Sequence, residues 1–184
     1  MKNKKYNVVK SERTALGRFA IRLDTVKEGN NEYPYSFIEA SDSVAILAEA
    51  DGMFVLIRQY RHSVNEYLLE IPGGSMDINE DPKEAVKREL LEETGYEAHS
   101  IIPLGSFYPT VGSSYERCYL YYTKCKKKRE QHLEPLEYLE VELTSSVDLE
   151  KMIKEGTFLH SMGLVAWLKY KMLIVDGGYA DRTS

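Results

Sequence analysis

The stretch "GGSMDINEDPKEAVKRELLEETGY", Gly73–Tyr96, carries seven acids against three bases. Its net charge is −4, in a 184-residue chain whose formal net charge is −5. The helix punctuation inside it is clear. Asp81 is a capping residue, Pro82 suits the first helical position, and Glu84 completes a capping-box pattern. Gly95 is a natural stop. The spacing predicts a helix from Pro82 to Thr94, with Val86 and Leu90 as its apolar stripe. Glu84, Arg88 and Glu92 fall at i, i+4 and i+8, a ladder suited to surface ion pairs.

Glu89 and Glu93 break that pattern. None of their neighbours at i±3 or i±4 is basic. Like charges at this spacing cost roughly 0.2–0.5 kcal/mol per pair. The negative end of the helix adds a further ~0.3–1 kcal/mol for each. Repulsion without local compensation marks a functional site. Carboxylates on one face at i, i+3 and i+4 suit a hard divalent cation such as Mg²⁺, which keeps waters for substrate phosphates. The structural alternative is a base from elsewhere in the fold, such as Arg61, that neutralises them. Glu93 is read as exposed on the helix, so that Glu93→Gln removes function and leaves the fold intact.

Upstream, Ser43–Ala50 and Met53–Tyr60 are apolar, β-branched runs around Asp51-Gly52, a strong hairpin signal. "YLLEIP", "SIIPLGSFY", "RCYLYYT" and "LEYLEVEL" read as further strands. "VDLEKMIKEG" and "SMGLVAWLKYKMLIV" read as helices. Strands, one helix, strands and then helices indicate a mixed α/β or α+β sandwich.

Composition narrows the function classes. Hydrophobic residues at 43% and charged residues at 29% suit one globular domain. No apolar run approaches the ~20 residues of a membrane helix. No apolar segment of the secretory kind follows the basic N-terminus. A cytoplasmic chain with no membrane partner is therefore expected. Cys118 and Cys125 fit neither a metal knuckle nor a disulfide framework. The acidic balance argues against nucleic acid. The one basic run, "KCKKKRE" at Lys124–Glu130, lacks aromatics and reads as a solvated loop. His62, His99, His132 and His160 are scattered without metal spacing, and Ser113 and Ser114 lack a His–Asp pattern.

Gly74, Glu80, Arg88-Glu89-Leu90, Glu92-Glu93 and Gly95 follow one another at the spacing of the Nudix box. The stretch resembles that of the Nudix hydrolase superfamily, with Tyr96 where the family prefers an aliphatic residue. From about Ser43 to Trp167 the chain resembles the branch that cleaves ADP-ribose and nucleoside diphosphate sugars. The resemblance implies an α/β (α+β) fold: a Nudix-type α/β/α sandwich with a mixed sheet. It divides the chain into an N-terminal β-strand region at 1–40, a hydrolase domain at 41–176 and a flexible tail at 177–184. It also implies Mg²⁺-dependent cleavage of a pyrophosphate to a nucleoside monophosphate and a sugar phosphate, by metal-activated water. Mn²⁺ is the alternative cation. The implied partner is a small-molecule nucleoside diphosphate sugar, and a homodimer is implied by analogy.

Residue by residue, the resemblance makes Glu89, Glu93 and the Gly73 carbonyl metal ligands. Glu92 becomes an auxiliary ligand or base, and Arg88 orients the glutamates. In "QYR", Arg61 is implied near the substrate, where a guanidinium grips phosphate with two parallel hydrogen bonds. Glu116 ends a second substrate segment, "LGSFYPTVGSSYE". That segment has Val111 where the proline that marks ADP-ribose enzymes would fall. The alternatives are therefore GDP-mannose, a dinucleoside polyphosphate or an oxidised nucleotide, or a non-catalytic nucleotide-sensing module. Glu137 is the implied late ligand or catalytic base, with Glu134 and Glu140 as alternatives. On a strand, Glu137, Leu139 and Val141 would share a face. Tyr33, Tyr35 and Phe37 alternate on a predicted strand. A base-stacking, core or dimer role stays open for them.

Overall fold

The computed structural model describes residues 5–17 and 19–177. Two compact units divide the chain: Met1–Ser41 with Tyr108–Arg117, and Asp42–Phe107 with Cys118–Ser184. All but Gly177 of the expected tail lies outside the described residues.

The first unit holds an antiparallel sheet in the order β1 (Asn7–Leu16), β2 (Phe19–Glu28), β3 (Asn31–Glu39). Ala20, Asp24 and Val26 of β2 are buried, whereas β1 is exposed along its length. The buried Asp24 accepts from Ser11 Oγ at 2.6 Å and Arg22 Nε at 2.9 Å, which holds its carboxyl below the usual range. Tyr6, Tyr35, Phe37 and Tyr115 form a row with successive ring centroids 5.5, 6.2 and 6.0 Å apart.

The second unit is a mixed sheet with helices on both faces. Its strands are β4 (Ser43–Ala50), β5 (Met53–Arg61), β6 (Glu66–Glu70), β7 (Gly73–Ser75), β8 (Tyr96–Phe107), β9 (Cys118–Lys127) and β10 (Leu139–Thr144). The order is β10-β5-β4-β9-β8, with β6 on β5 and β7 on β4. Among the described strands of this sheet, only the β4–β9 pair is parallel. Asp51 and Gly52 both take positive φ, 49° and 80°, as a tight hairpin between β4 and β5 requires.

Burial explains the apolar run in β4. Ala45 and Leu47 join Phe54, Leu56, Leu120 and Trp167 in one core. Val44, Ile46 and Ala48 join Val55, Val86 and Leu90 in the other. A strand covered on both faces reads as continuous hydrophobicity rather than alternation. The first core is closed by α2 (Ser146–Glu155) and α3 (Ser161–Tyr170), which runs on into a π-helical turn at Lys171–Val175. The second is closed by α1 (Pro82–Thr94). The α/β/α sandwich with a mixed sheet is thus the observed architecture.

Two local readings change. Lys124–Lys127 belong to β9 rather than to a loop. The residues beyond cap the C-terminus of α1. Gln131 Nε2 donates to Glu93 O at 2.5 Å, His132 N to Glu92 O at 2.8 Å, and Lys128 N to Gly95 O at 2.9 Å. Lys127 Nζ reaches Thr94 O at 3.1 Å. The orphan carbonyls of the helix end are satisfied by this segment. Its negative end therefore has the compensation that its own sequence lacks.

Candidate active site

The site grows from the turn that precedes α1. Asp81 caps the helix by accepting from Lys83 N at 2.8 Å, and Gly95 ends it in the left-handed region at φ 72°. Ala85, Val86, Leu90 and Glu93 form the buried face. The predicted ladder does not form as a row. Glu84 pairs instead with Lys87 at 2.6 Å. Arg88 turns back toward the loop and grips Glu80 with two contacts, at 2.9 Å from Nε and 2.8 Å from Nη2. Its Nη1 donates to Glu89 at 2.8 Å and to Glu92 at 3.4 Å, and its Nη2 donates to Ser75 O at 3.1 Å. The guanidinium holds the Glu80 carboxyl below the usual range. Glu89 therefore meets a base on its own helix, at i−1, which helix spacing alone does not suggest.

Glu93 corrects the expectation of an exposed side chain: it is only 4% exposed. Its Oε2 accepts from Gly73 N at 2.8 Å. Among the described residues it makes no ion pair. Burial raises its carboxyl well above the ordinary value. Glu89 and Glu137 add to the rise, while the Gly73 N–H and Arg61 oppose it. Burial likewise raises Glu89, against Arg88 and with Glu92 and Glu137. This negative field is what a carboxylate cluster feels when its charge is not neutralised.

Gly73 and Gly74 are small because the space is taken. A Cβ on Gly73 would lie 2.2 Å from Val44 O, and one on Gly74 would lie 2.5 Å from Glu89 Oε1. The backbone of β7 thus passes directly under the Glu89 carboxylate. The contact of Gly73 with the glutamates is made by its N–H, which donates to Glu93, and not by its carbonyl.

Arg61 does not neutralise Glu89 or Glu93 by direct contact. Its Nε and Nη2 form a fork on Glu70, at 2.8 and 2.6 Å. The Glu70 side chain is 4% exposed and that of Arg61 40%. The fields of Glu93 and Glu137 still reach Arg61 and favour its charged form. Beyond Glu70 stands His160, its Nε2 3.5 Å from Glu70 Oε2.

Glu137 does not lie on β10, so it shares no strand face with Leu139 and Val141. It sits in the preceding turn, where its Oε2 accepts from Glu134 N at 2.9 Å. Its field acts on Glu89, Glu93 and Arg61. Glu134 and Glu140 are exposed and do not figure among those influences. Glu116 belongs to the first unit, where its N–H donates to Ser114 Oγ at 3.1 Å.

Glu89, Glu92, Glu93 and Glu137 supply the hard oxygens that a divalent cation takes. Among the described residues, no three His, Cys, Asp or Glu side chains form a ready metal-holding group. Arg88 and the Gly73 N–H hold the Glu89 and Glu93 carboxylates instead. The raised carboxyls and the cradle that a Gly74 Cβ would fill both fit a cation at this place. Glu70 and His160 escaped the sequence reading. The one available signal was His160 standing where a helix would want a Ser, Thr, Asp or Asn cap.

A family model described as NUDIX domain matches residues 39–162. A methanol dehydrogenase activator of Bacillus methanolicus is 31% identical over 164 residues, 86% of this chain and 88% of that protein. An ADP-ribose pyrophosphatase of Bacillus subtilis (strain 168) is 31% identical over 117 residues, 61% of this chain and 62% of that protein. A solved structure of an ADP compounds hydrolase matches with a TM-score of 0.82 at 19% identity. It covers 96% of this chain and 98% of that chain, a likeness of fold.

Proposed function

The chain belongs to the Nudix family, and on that premise we propose that it hydrolyses the diphosphate of ADP-ribose or a related nucleoside diphosphate sugar. The products are a nucleoside monophosphate and a sugar phosphate. The observation that carries this reading is the buried Glu93 beside the half-buried Glu89 over the Gly73-Gly74 backbone, both raised in pKa and neither in contact with Arg61. The similar ADP-ribose pyrophosphatase supports the substrate class.

Glu89, Glu93 and the Gly73 carbonyl would hold Mg²⁺, with Glu92 as a further oxygen and Mn²⁺ as the alternative ion. The cation, when bound, neutralises diphosphate charge and acidifies the attacking water. The chain does the rest. Arg88 fixes Glu89 and Glu92 by threading them onto one guanidinium that is itself locked on Glu80. The Gly73 N–H fixes Glu93. Glu70 takes one edge of Arg61 and leaves Nη1 for a phosphate oxygen. Glu137 takes the proton of the attacking water, since one of its oxygens is held by Glu134 N–H and its charge is felt by both inner glutamates. The same proposal keeps Glu116, a residue of the first unit, as a substrate-binding residue by resemblance alone. A cytoplasmic homodimer acting on a small molecule, without nucleic acid or membrane, belongs to the same proposal. No helix among the described residues is long and apolar enough to cross a membrane.

Product analysis tests this. Pure protein with Mg²⁺ is incubated with ADP-ribose, ADP-glucose, GDP-mannose, NADH, diadenosine polyphosphates and nucleoside triphosphates, beside Glu93→Gln. AMP and ribose 5-phosphate from ADP-ribose, absent with the variant, are expected. Cleavage of another compound alone would discard ADP-ribose and keep the chemistry. Nucleotide binding without turnover would point to a sensing module. A second reading comes from the methanol dehydrogenase activator, which matches most of the chain. It is tested by adding the protein to an alcohol dehydrogenase assay, where a rate increase that needs intact Glu93 would support it.

A further inference from the structure

We infer that His160 is a positioning residue for this site: its imidazole holds the Ile71 peptide, packs its other edge against the Glu70 carboxylate, and through Glu70 sets the Arg61 guanidinium. The inference rests on the proposed reading of the site as a diphosphate hydrolase.

The link between β6 and β7 is pinned at each residue. Glu70 gives both carboxylate oxygens to Arg61. Ile71 N–H donates to His160 Nδ1 at 3.2 Å. Pro72 O accepts from Ile46 N, and Gly73 N–H goes to Glu93, both at 2.8 Å. Three of these anchors come from within the sheet or from α1. His160 alone comes from the helix layer on the other face, at the start of α3.

The position of His160 is unusual in local terms. It is the N-cap of α3, yet its side chain makes no capping hydrogen bond. A side chain that leaves its own helix uncapped serves another partner. The tautomer follows from the geometry. Nδ1 accepts from Ile71, so the imidazole proton sits on Nε2, which faces Glu70 Oε2 at 3.5 Å. Burial lowers the imidazole pKa to about 4, so the ring is neutral at neutral pH and one such proton is available. Room for the ring comes from Gly163, where a Cβ would stand 3.3 Å from His160 Nδ1 and 2.6 Å from Phe158 Cζ. Buried carboxylates need partners at more than one lone pair. The Nε2 edge of His160 lies against Glu70 Oε2, the oxygen that also accepts from Arg61 Nη2, and so limits how the Glu70–Arg61 fork can turn.

Two substitutions separate positioning from mere packing. His160→Asn keeps an acceptor near the place of Nδ1 for Ile71 and cannot reach Glu70. His160→Gln extends toward Glu70. We expect His160→Asn to melt within about 3 °C of wild type. Its kcat/KM for the cleaved nucleotide should fall ~10-fold or more, chiefly through KM, because Arg61 loses its setting against phosphate. His160→Gln should recover part of that loss. In a Glu70→Gln background, where the fork on Arg61 is already broken, His160→Asn should add little. Wild-type kcat and KM in a folded His160→Asn would overturn the inference alone, as would losses confined to Tm in both variants. A wild-type protein that hydrolyses nothing, or a fully active Glu93→Gln, would overturn the underlying reading of the site and this inference with it.

Discussion

On the outward side of α1, Glu84 is 62% exposed at its side chain and meets Lys87 at 2.6 Å. On the inward side, Glu93 is 4% exposed and meets one backbone N–H. Both are glutamates of a single helix, nine positions apart. In water the outer pair contributes roughly 0.5 kcal/mol or less. Inside, a carboxylate without a counter-charge costs several times that. The helix thus holds its stable charges outside and its costly ones inside, against β7. Unneutralised negative charge next to a close-approaching backbone is a place kept ready for a cation and an anionic substrate.

The sharpest way to break this contrast is Glu93→Gln. Hydrolysis should fall roughly 10³-fold or more in kcat, because the residue proposed to bring cation and diphosphate together is gone. The metal-free variant should nevertheless melt higher than wild type at neutral pH. The folded carboxyl is raised, so its ionised form costs stability as pH rises above the ordinary value, and an uncharged amide removes that cost. A variant that melts lower in the absence of metal would mean that the inner face is not strained. Gly74→Ala comes next. Its Cβ must displace the Glu89 carboxylate, and a 10–10²-fold loss in kcat/KM with weakened Mg²⁺ activation is expected from steady-state rates.

Acid separates the two faces further. His160 is lowered to about 4, so the unfolded chain takes up its proton first as pH falls. The contribution is present above about pH 6.5 and is lost progressively toward pH 4. Glu70 and Arg61 face the ring, and Glu93, with its raised carboxyl, works in the opposite direction. The difference in melting between wild type and His160→Gln, followed from pH 7 to pH 5, isolates the histidine. Wild type should lose roughly 1–3 kcal/mol more. The smallest effect belongs to the outer face. Lys87→Ala should change stability by under ~0.5 kcal/mol and leave kcat unchanged, as melting and rate measurements would show.

Local chemistry was legible in the sequence. The helix bounds at Pro82 and Thr94, the Asp81 cap, the Gly95 stop and the Asp51-Gly52 hairpin follow from residues a few positions apart, and the structure has them at those places. The box spacing located the helix and the glycine loop that carry the candidate site. The reading went astray where partners lie far apart in the chain. Arg88 passes over Glu84, four residues back, for Glu80, because the loop before the helix folds onto it. Glu137 falls in a turn instead of on a strand face. The basic run reads as solvated, yet its strand and the segment beyond cap the end of α1.

By itself, the sequence determined most of the helices and strands, that the charge excess sits in one segment, Gly73–Tyr96, and which residue types can serve a cation and a diphosphate. These rest on propensity, capping and periodicity, which act within a turn or two of chain. Only the tertiary structure decided that Glu93 is buried, that Arg61 answers Glu70 instead of the inner glutamates, and that His160 stands behind that pair. Burial and field depend on what packs from across the sheet. A charge costs little or much according to the medium around it, and that medium is assembled only when α1, β7 and α3 close on the two faces of the sheet.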